Sequence, residues 1–179
     1  NSVALQAVTR PFNSILCATT AHIYVDECGA PARMTGCAVT PIPTPDGKLT
    51  PELIRPYLCN FGVCHHSQPK AVYISQVSEL GTVYTIEEVR ALADLLHAYH
   101  MYLHMDGARL ANACAHLNCT MKQVTVDAGV DILSFGGTKN GMMMGESVIS
   151  FRPEISENLA FYRKQSAQLA SKLRYLSAQ

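Results

Sequence analysis

The chain has 179 residues, 48% of them hydrophobic and 16% charged, with 14 Lys and Arg set against 14 Asp and Glu. That length holds one domain with a proper core rather than two large ones, and the composition excludes a disordered chain. Balanced charge, with basic residues scattered and only Arg163-Lys164 adjacent, excludes a polyanion-binding surface, so nucleic acid is not an expected partner.

Asn1 is followed at once by helix-like SVALQAV, with no initiator Met and no charged-then-apolar signal pattern. The chain is therefore expected to begin inside a longer protein, with any targeting signal upstream of it. Five apolar runs of strand length follow between turn signals: residues 14–22, 70–77, 98–106, 131–137 and 146–151. Residues 41–52, PIPTPDGKLTPE, read as a proline-rich surface connection. Thr50-Pro51 then starts a helix that Pro56 keeps short. The clearest helix begins at Thr85, which forms a capping box with Glu88 and places Ile86, Val89, Leu92, Ala93 and Leu96 on one face. Strands alternating with helices predict a mostly parallel sheet flanked by helices, an α/β fold.

From Pro153 onward, Ile155, Leu159, Tyr162, Ser166, Leu169, Leu173 and Leu176 recur at spacings of four and three. That pattern predicts one long helix through residues 153–177, whose apolar stripe needs a partner subunit or further chain to pack on. No run approaches the length that spans a bilayer, so no membrane is expected. Seven cysteines without a CxxC pair read as reduced thilols of a cytoplasmic protein. Two clusters, Cys59, Cys64, His65 and His66, and Cys114, His116 and Cys119, have ligand types zinc accepts but no CxxC or HxxxH frame, so no metal is expected.

Two stretches carry chemistry. Asp106 closes an apolar strand ahead of Gly107, which puts its carboxylate at the C-terminal edge where parallel α/β sheets bind ligands. Capping of the helix ARLANACA explains Asp106 equally well. It does not explain Arg109, a cation in the first helical turn, where the dipole disfavours it. Lys139 lies 33 positions after Asp106, among Gly136, Gly137, Gly141 and Gly145. By itself it reads as an exposed loop residue. Paired with Asp106 it fits pyridoxal 5'-phosphate, which needs a lysine amine for its aldehyde and a carboxylate beneath its pyridine nitrogen. Gly137 and Thr138 then offer N–H groups and a hydroxyl close to where the phosphate could rest.

HMDGARLANA (104–113), DILSFGGTKNGMMMGE (131–146) and the segment 21–52 resemble the low-specificity L-threonine aldolases, pyridoxal-phosphate enzymes of the aspartate-aminotransferase type. The resemblance covers essentially the whole chain. It implies that Lys139 bonds the cofactor, Asp106 faces the pyridine nitrogen, and Arg109 holds the phenolic oxygen or the substrate carboxylate. His22, by its residues alone an ordinary structural or surface histidine, would stack on the cofactor ring and serve as candidate base for the substrate hydroxyl.

Three departures are visible. Ser75-Gln76-Val77-Ser78 replaces the family's acidic-Asn-Thr-His stretch, so Ser78 stands where that histidine would be, and Ser78 or Glu79 becomes a candidate for binding the substrate hydroxyl. The family's phosphate-binding Gly-Thr turn would fall before Asn1, and its small C-terminal domain beyond Gln179. Residues 1–152 are thus read as the cofactor-binding large domain without its N-terminal part, and 153–179 as a helix leading toward an absent small domain. Little or no activity is expected of the chain alone.

The reading this supports is part of a cytoplasmic homodimer or homotetramer that cleaves L-threonine and related β-hydroxy-α-amino acids to glycine and an aldehyde. A β-eliminating amino-acid lyase and a non-catalytic scaffold subunit of the same fold stand as alternatives.

Overall fold

Every expected apolar run contributes a strand with shifted ends: β1 and β3 start one and two residues before the expected runs, and four of the five strands stop short of the expected ends. The computed structural model describes residues 1–178, and its elements run α1 (Ser2–Val8), β1 (Asn13–Ala18), α2 (His22–Val25), α3 (Ala30–Thr35), β2 (Ala38–Ile42), α4 (Pro51–Ile54), β3 (Gln68–Ser75) and α5 (Ile86–Ala98). They continue with β4 (Tyr102–Asp106), α6 (Leu110–Leu117), α7 (Met121–Val124), β5 (Ile132–Gly136), β6 (Glu146–Ser150), α8 (Pro153–Ser156), α9 (Leu159–Gln165) and α10 (Arg174–Ser177). One six-stranded sheet has the order β2-β1-β3-β4-β5-β6; the first five strands are parallel and β6 returns antiparallel to β5. This is the mostly parallel α/β architecture the alternation of patterns predicts.

Burial explains the sequence of the central strands. Ala71, Val72, Tyr73 and Ile74 of β3 are all buried, as a parallel strand covered on both faces requires. Helix α5 supplies one cover through Val89, Leu92, Ala93, Leu95 and Leu96, and both halves of the Thr85–Glu88 capping box are formed. Thr50 caps α4 by accepting from the N–H of Leu53, with Pro51 at the first helical position. At the far side of the sheet, buried Asp131 ties three elements together. It accepts from the N–H of Leu103 at 2.8 Å and from Arg152 Nε at 2.5 Å, and it contacts His97 Nε2 at 3.0 Å.

Three expectations are corrected. Residues 41–42 belong to β2 rather than to the loop; this is an edge strand, the place in a sheet where Pro41 is tolerated. The run 98–106 begins too early, because α5 extends to Ala98 and the chain turns through His100 in the left-handed region (φ 54°). The long helix over 153–177 is replaced by three short ones, with Ala167 and Lys172 at φ 57° and 62° between α9 and α10. Of the expected stripe, Ile155 is buried while Leu169 stays 41% exposed. Leu159 packs against the core and Ser166 Oγ accepts from Gln6 Nε2 at 3.2 Å, so the supported part of the stripe ends with α9, and short helices without further packing are marginal in water. Gln179 and the side chain of Leu176 lie outside the described residues.

Candidate active site

In an order of this kind the ligand-binding crevice lies outside the carboxyl ends of the strands, where the order reverses between β1 and β3. A cleft of about 660 Å³ opens at that edge. His22, at the head of α2, reaches it from the end of β1. Ser75, Ser78 and Glu79 come from the end of β3, Asp106 and Arg109 from the end of β4, and Ser134, Gly136 and Lys139 from the end of β5. Glu146 joins them because β6 runs antiparallel, so its first residue sits at the same edge. Of the expected site residues, Lys139, Asp106, Arg109, His22 and Ser78 thus line one cleft.

Asp106 forms its floor and is buried. Oδ2 accepts from the Tyr73 hydroxyl at 2.7 Å and from Asn1 Nδ2 at 2.8 Å, while Oδ1 accepts from the N–H of Ala108 at 2.9 Å. Burial pushes its acidity toward the neutral acid, but these three donors outweigh it and hold the carboxyl below the usual aspartate range. Asp106 therefore remains an anion at the bottom of the cleft. The Ala108 bond lies in the turn ahead of α6, and the N-cap position belongs to Arg109, one residue before the helix rather than inside its first turn.

Tyr73 extends the network. Its oxygen lies 3.2 Å from Ser75 Oγ, and Ser75 Oγ donates its one proton to Glu79 Oε1 at 2.7 Å. The same Glu79 oxygen accepts from the His22 main-chain N–H at 3.0 Å. A polar chain thus runs around the cleft from Asp106 to the start of α2. The His22 ring is half-exposed, with Nδ1 3.6 Å from Asp26 and Nε2 4.0 Å from Glu27, so carboxylates face both of its nitrogens.

Lys139 and Arg109 are exposed, and among the described residues neither side chain enters an ion pair. Two uncommitted cations therefore face the cleft whose floor is the Asp106 anion. Gly137 and Thr138 stand apart from the lining. Thr138 Oγ1 accepts from the Gly145 N–H at 3.2 Å, and its own N–H donates to the Gly145 carbonyl at 3.1 Å, which closes the methionine loop. A Cβ at Gly137 would lie 2.4 Å from Met142 Sδ, so that glycine makes room for the same loop. Ser78 lines the cleft, but its hydroxyl is paired with Thr82 Oγ1 at 2.6 Å in a tight turn.

Tyr73, Asn1, Ser75 and Glu146 are site residues that sequence patterns alone do not mark. Tyr73 and Ser75 had a signal: both sit in an otherwise apolar strand, and the register sets Tyr73 beside His104 and Ser75 beside Asp106. No three His, Cys, Asp or Glu side chains among the described residues gather as a metal site would require. No helix among them is long and apolar enough to cross a membrane.

The chain is 42% identical over 179 residues to low-specificity L-threonine aldolases of Pseudomonas sp. (strain NCIMB 10558) and of Pseudomonas aeruginosa, which covers 99% of this chain and 52% of each of theirs. It therefore spans about half the length of the curated relatives it matches. A solved threonine aldolase of Leishmania major superposes with a TM-score of 0.86 at 32% identity, covering 93% of this chain and 48% of that one. An aspartate aminotransferase of Thermus thermophilus, at 16% identity and a TM-score of 0.63 over 92% of this chain and 42% of its own, shares the fold. The family model described as beta-eliminating lyase matches residues 1–177, so the strand edge and every side chain of the cleft fall within the match, and the chain belongs to the beta-eliminating lyase family.

Proposed function

We propose that this cleft binds pyridoxal 5'-phosphate and serves retro-aldol cleavage of L-threonine and related β-hydroxy-α-amino acids to glycine and an aldehyde. The observation that carries the reading is the buried Asp106 anion, held charged by three donors, in one cleft with the unpaired Lys139 amine. These residues fit that cofactor: an amine for its aldehyde and an acid for its ring nitrogen. When bound, the pyridoxal group would supply an aldehyde for the substrate amine and a ring able to take up the electron pair of the breaking bond. Asp106 holds a proton at the pyridine nitrogen. Arg109 faces the substrate carboxylate or the phenolic oxygen. His22, with carboxylates beside both ring nitrogens, takes the proton of the substrate hydroxyl as Cα–Cβ breaks. Gly137 and Thr138 act on the phosphate indirectly in this reading, by shaping the loop that carries Lys139.

The similarity to threonine aldolases supports cleavage over elimination as the reaction. Seven free thiols support a reducing, cytoplasmic setting, and the exposed Phe161, Leu169 and Tyr175 support a homodimer or homotetramer.

The test compares products and variants with pyridoxal phosphate bound, at chain concentrations high enough to register slow turnover. L-threonine should yield glycine and acetaldehyde, and Asp106→Ala should keep the cofactor while turnover falls by roughly 100-fold or more, the scale on which removing one preorganised electrostatic partner acts. His22→Ala should slow cleavage of β-hydroxy substrates more than exchange of the glycine Cα proton. Elimination of a β-leaving group without acetaldehyde from threonine would contradict the proposal, as would near-normal turnover in Asp106→Ala.

A further inference from the structure

Asn140, the residue after Lys139, has both ends of its amide engaged by main chain. Nδ2 donates to the carbonyl oxygens of Gly136 at 2.6 Å, Ala108 at 3.1 Å and Gly107 at 3.2 Å, and Oδ1 accepts from the N–H of Ala111 at 2.9 Å. One side chain thus joins the end of β5 to the turn between β4 and α6. That turn follows directly on Asp106, the last residue of β4, whose Oδ1 accepts from the Ala108 N–H. Ala108 is therefore bonded to Asp106 through its nitrogen and to Asn140 through its oxygen.

The same two segments approach closely. The Gly107 N–H donates to the Ser134 carbonyl at 2.7 Å, and a Cβ at Gly136 would lie 2.9 Å from Ala108 Cα. The Arg109 side chain at the N-cap of α6 makes no capping bond, so Asn140 satisfies a first-turn N–H of that helix from a distant segment.

We propose that Asn140 is a positioning residue that fixes the Lys139 amine relative to the Asp106 carboxylate. The proposal rests on the cofactor reading above, in which those two groups meet opposite ends of one molecule. Asp106 ends β4 and Lys139 follows the end of β5, and a rigid separation between them is what makes the pair useful. Asn140 bonds both to the end of β5 and to the turn that follows Asp106. An aspartate there would keep an acceptor for Ala111 but turn an oxygen, with no proton to give, toward three carbonyls.

The test compares the full chain with Asn140→Ala and Asn140→Asp, judged folded by far-ultraviolet circular dichroism. Two ligands are titrated: pyridoxal 5'-phosphate, which can bond Lys139, and pyridoxamine 5'-phosphate, which has no aldehyde and cannot. Affinity for the aldehyde should fall by roughly 10- to 100-fold while affinity for the amine changes by less than about threefold, because misplacing a reacting group by about 1 Å carries a penalty of that size. Without either ligand, hydrogen exchange at the Ala111 amide should accelerate in Asn140→Ala, which lacks its acceptor. Should Asn140→Ala fail to fold, the near-isosteric Asn140→Asp carries the same comparison. Equal losses for both ligands would reveal general damage and overturn the proposal, as would unchanged affinities. If the unsubstituted chain forms no borohydride-reducible bond at Lys139, the cofactor reading fails and the proposal falls with it; if it does and the variants match it, positioning alone fails.

Discussion

His104 is fully buried beside Asp106, its ring edge-on to Tyr73 with centroids 5.2 Å apart and its Nε2 2.8 Å from Ser134 Oγ. Burial pushes its pKa down to about 3, against the pull of the Asp106 carboxylate. The folded-state pKa lies below the unfolded value of about 6.5. The unfolded chain therefore binds a proton that the native one refuses as pH falls below 6.5, and stability contributed by neutral His104 is lost progressively from there toward pH 3. His104→Phe, which cannot titrate, should lose about 1 kcal/mol less stability than the unsubstituted chain between pH 6.5 and 5.5 in urea unfolding. Parallel losses would show that His104 does not set this slope. Tyr73 lies in a largely apolar strand, where its hydroxyl is a faint signal until strand pairing brings it within 2.7 Å of Asp106 Oδ2, and His104 precedes Asp106 by two residues within β4 itself. Lys139 and Asp106 were legible because each breaks its local pattern: a charge at the end of a buried strand, and a cation among glycines. The packing of Gly137 against Met142 and the pairing of Thr138 with Gly145 had no such signal, because no spacing encodes those contacts.

At the scale of elements, local chemistry was the reliable guide. The Thr85–Glu88 box and the Thr50-Pro51 start are interactions within four residues, and both form where the sequence puts them. Thr85→Ala should cost about 1 kcal/mol, since it removes the acceptor for the Glu88 N–H from a helix that covers the central strands. Urea unfolding midpoints check this; an unchanged midpoint would mean that tertiary packing alone fixes the start of α5. Where an element depends on what lies opposite it, the sequence was a weaker guide. The heptad-like stripe after Pro153 has the spacing of a long helix, but helical structure there divides into three: Ile155 and Leu159 pack against the core, whereas Leu169 is exposed between the left-handed residues Ala167 and Lys172. Edge strand β2 escaped notice for the converse reason. Pro41 argues against a strand in general, and only its place at the sheet's edge removes the objection.

At the scale of the whole molecule, parallel strands ending at one edge, together with antiparallel β6 starting there, bring residues as far apart as His22 and Glu146 into a single cleft. The alternation of strands and helices made that architecture readable. The cleft's pairing of Lys139 with Asp106 was readable only through chemistry that needs both. The central claim is that this lysine bonds the cofactor's aldehyde while this aspartate stands opposite. Borohydride reduction of the chain saturated with pyridoxal 5'-phosphate, followed by peptide mapping, tests it most directly. One pyridoxyl group per chain is expected, on Lys139, and none in Lys139→Ala; label spread over surface lysines, or retained by that variant, would contradict the proposed pairing.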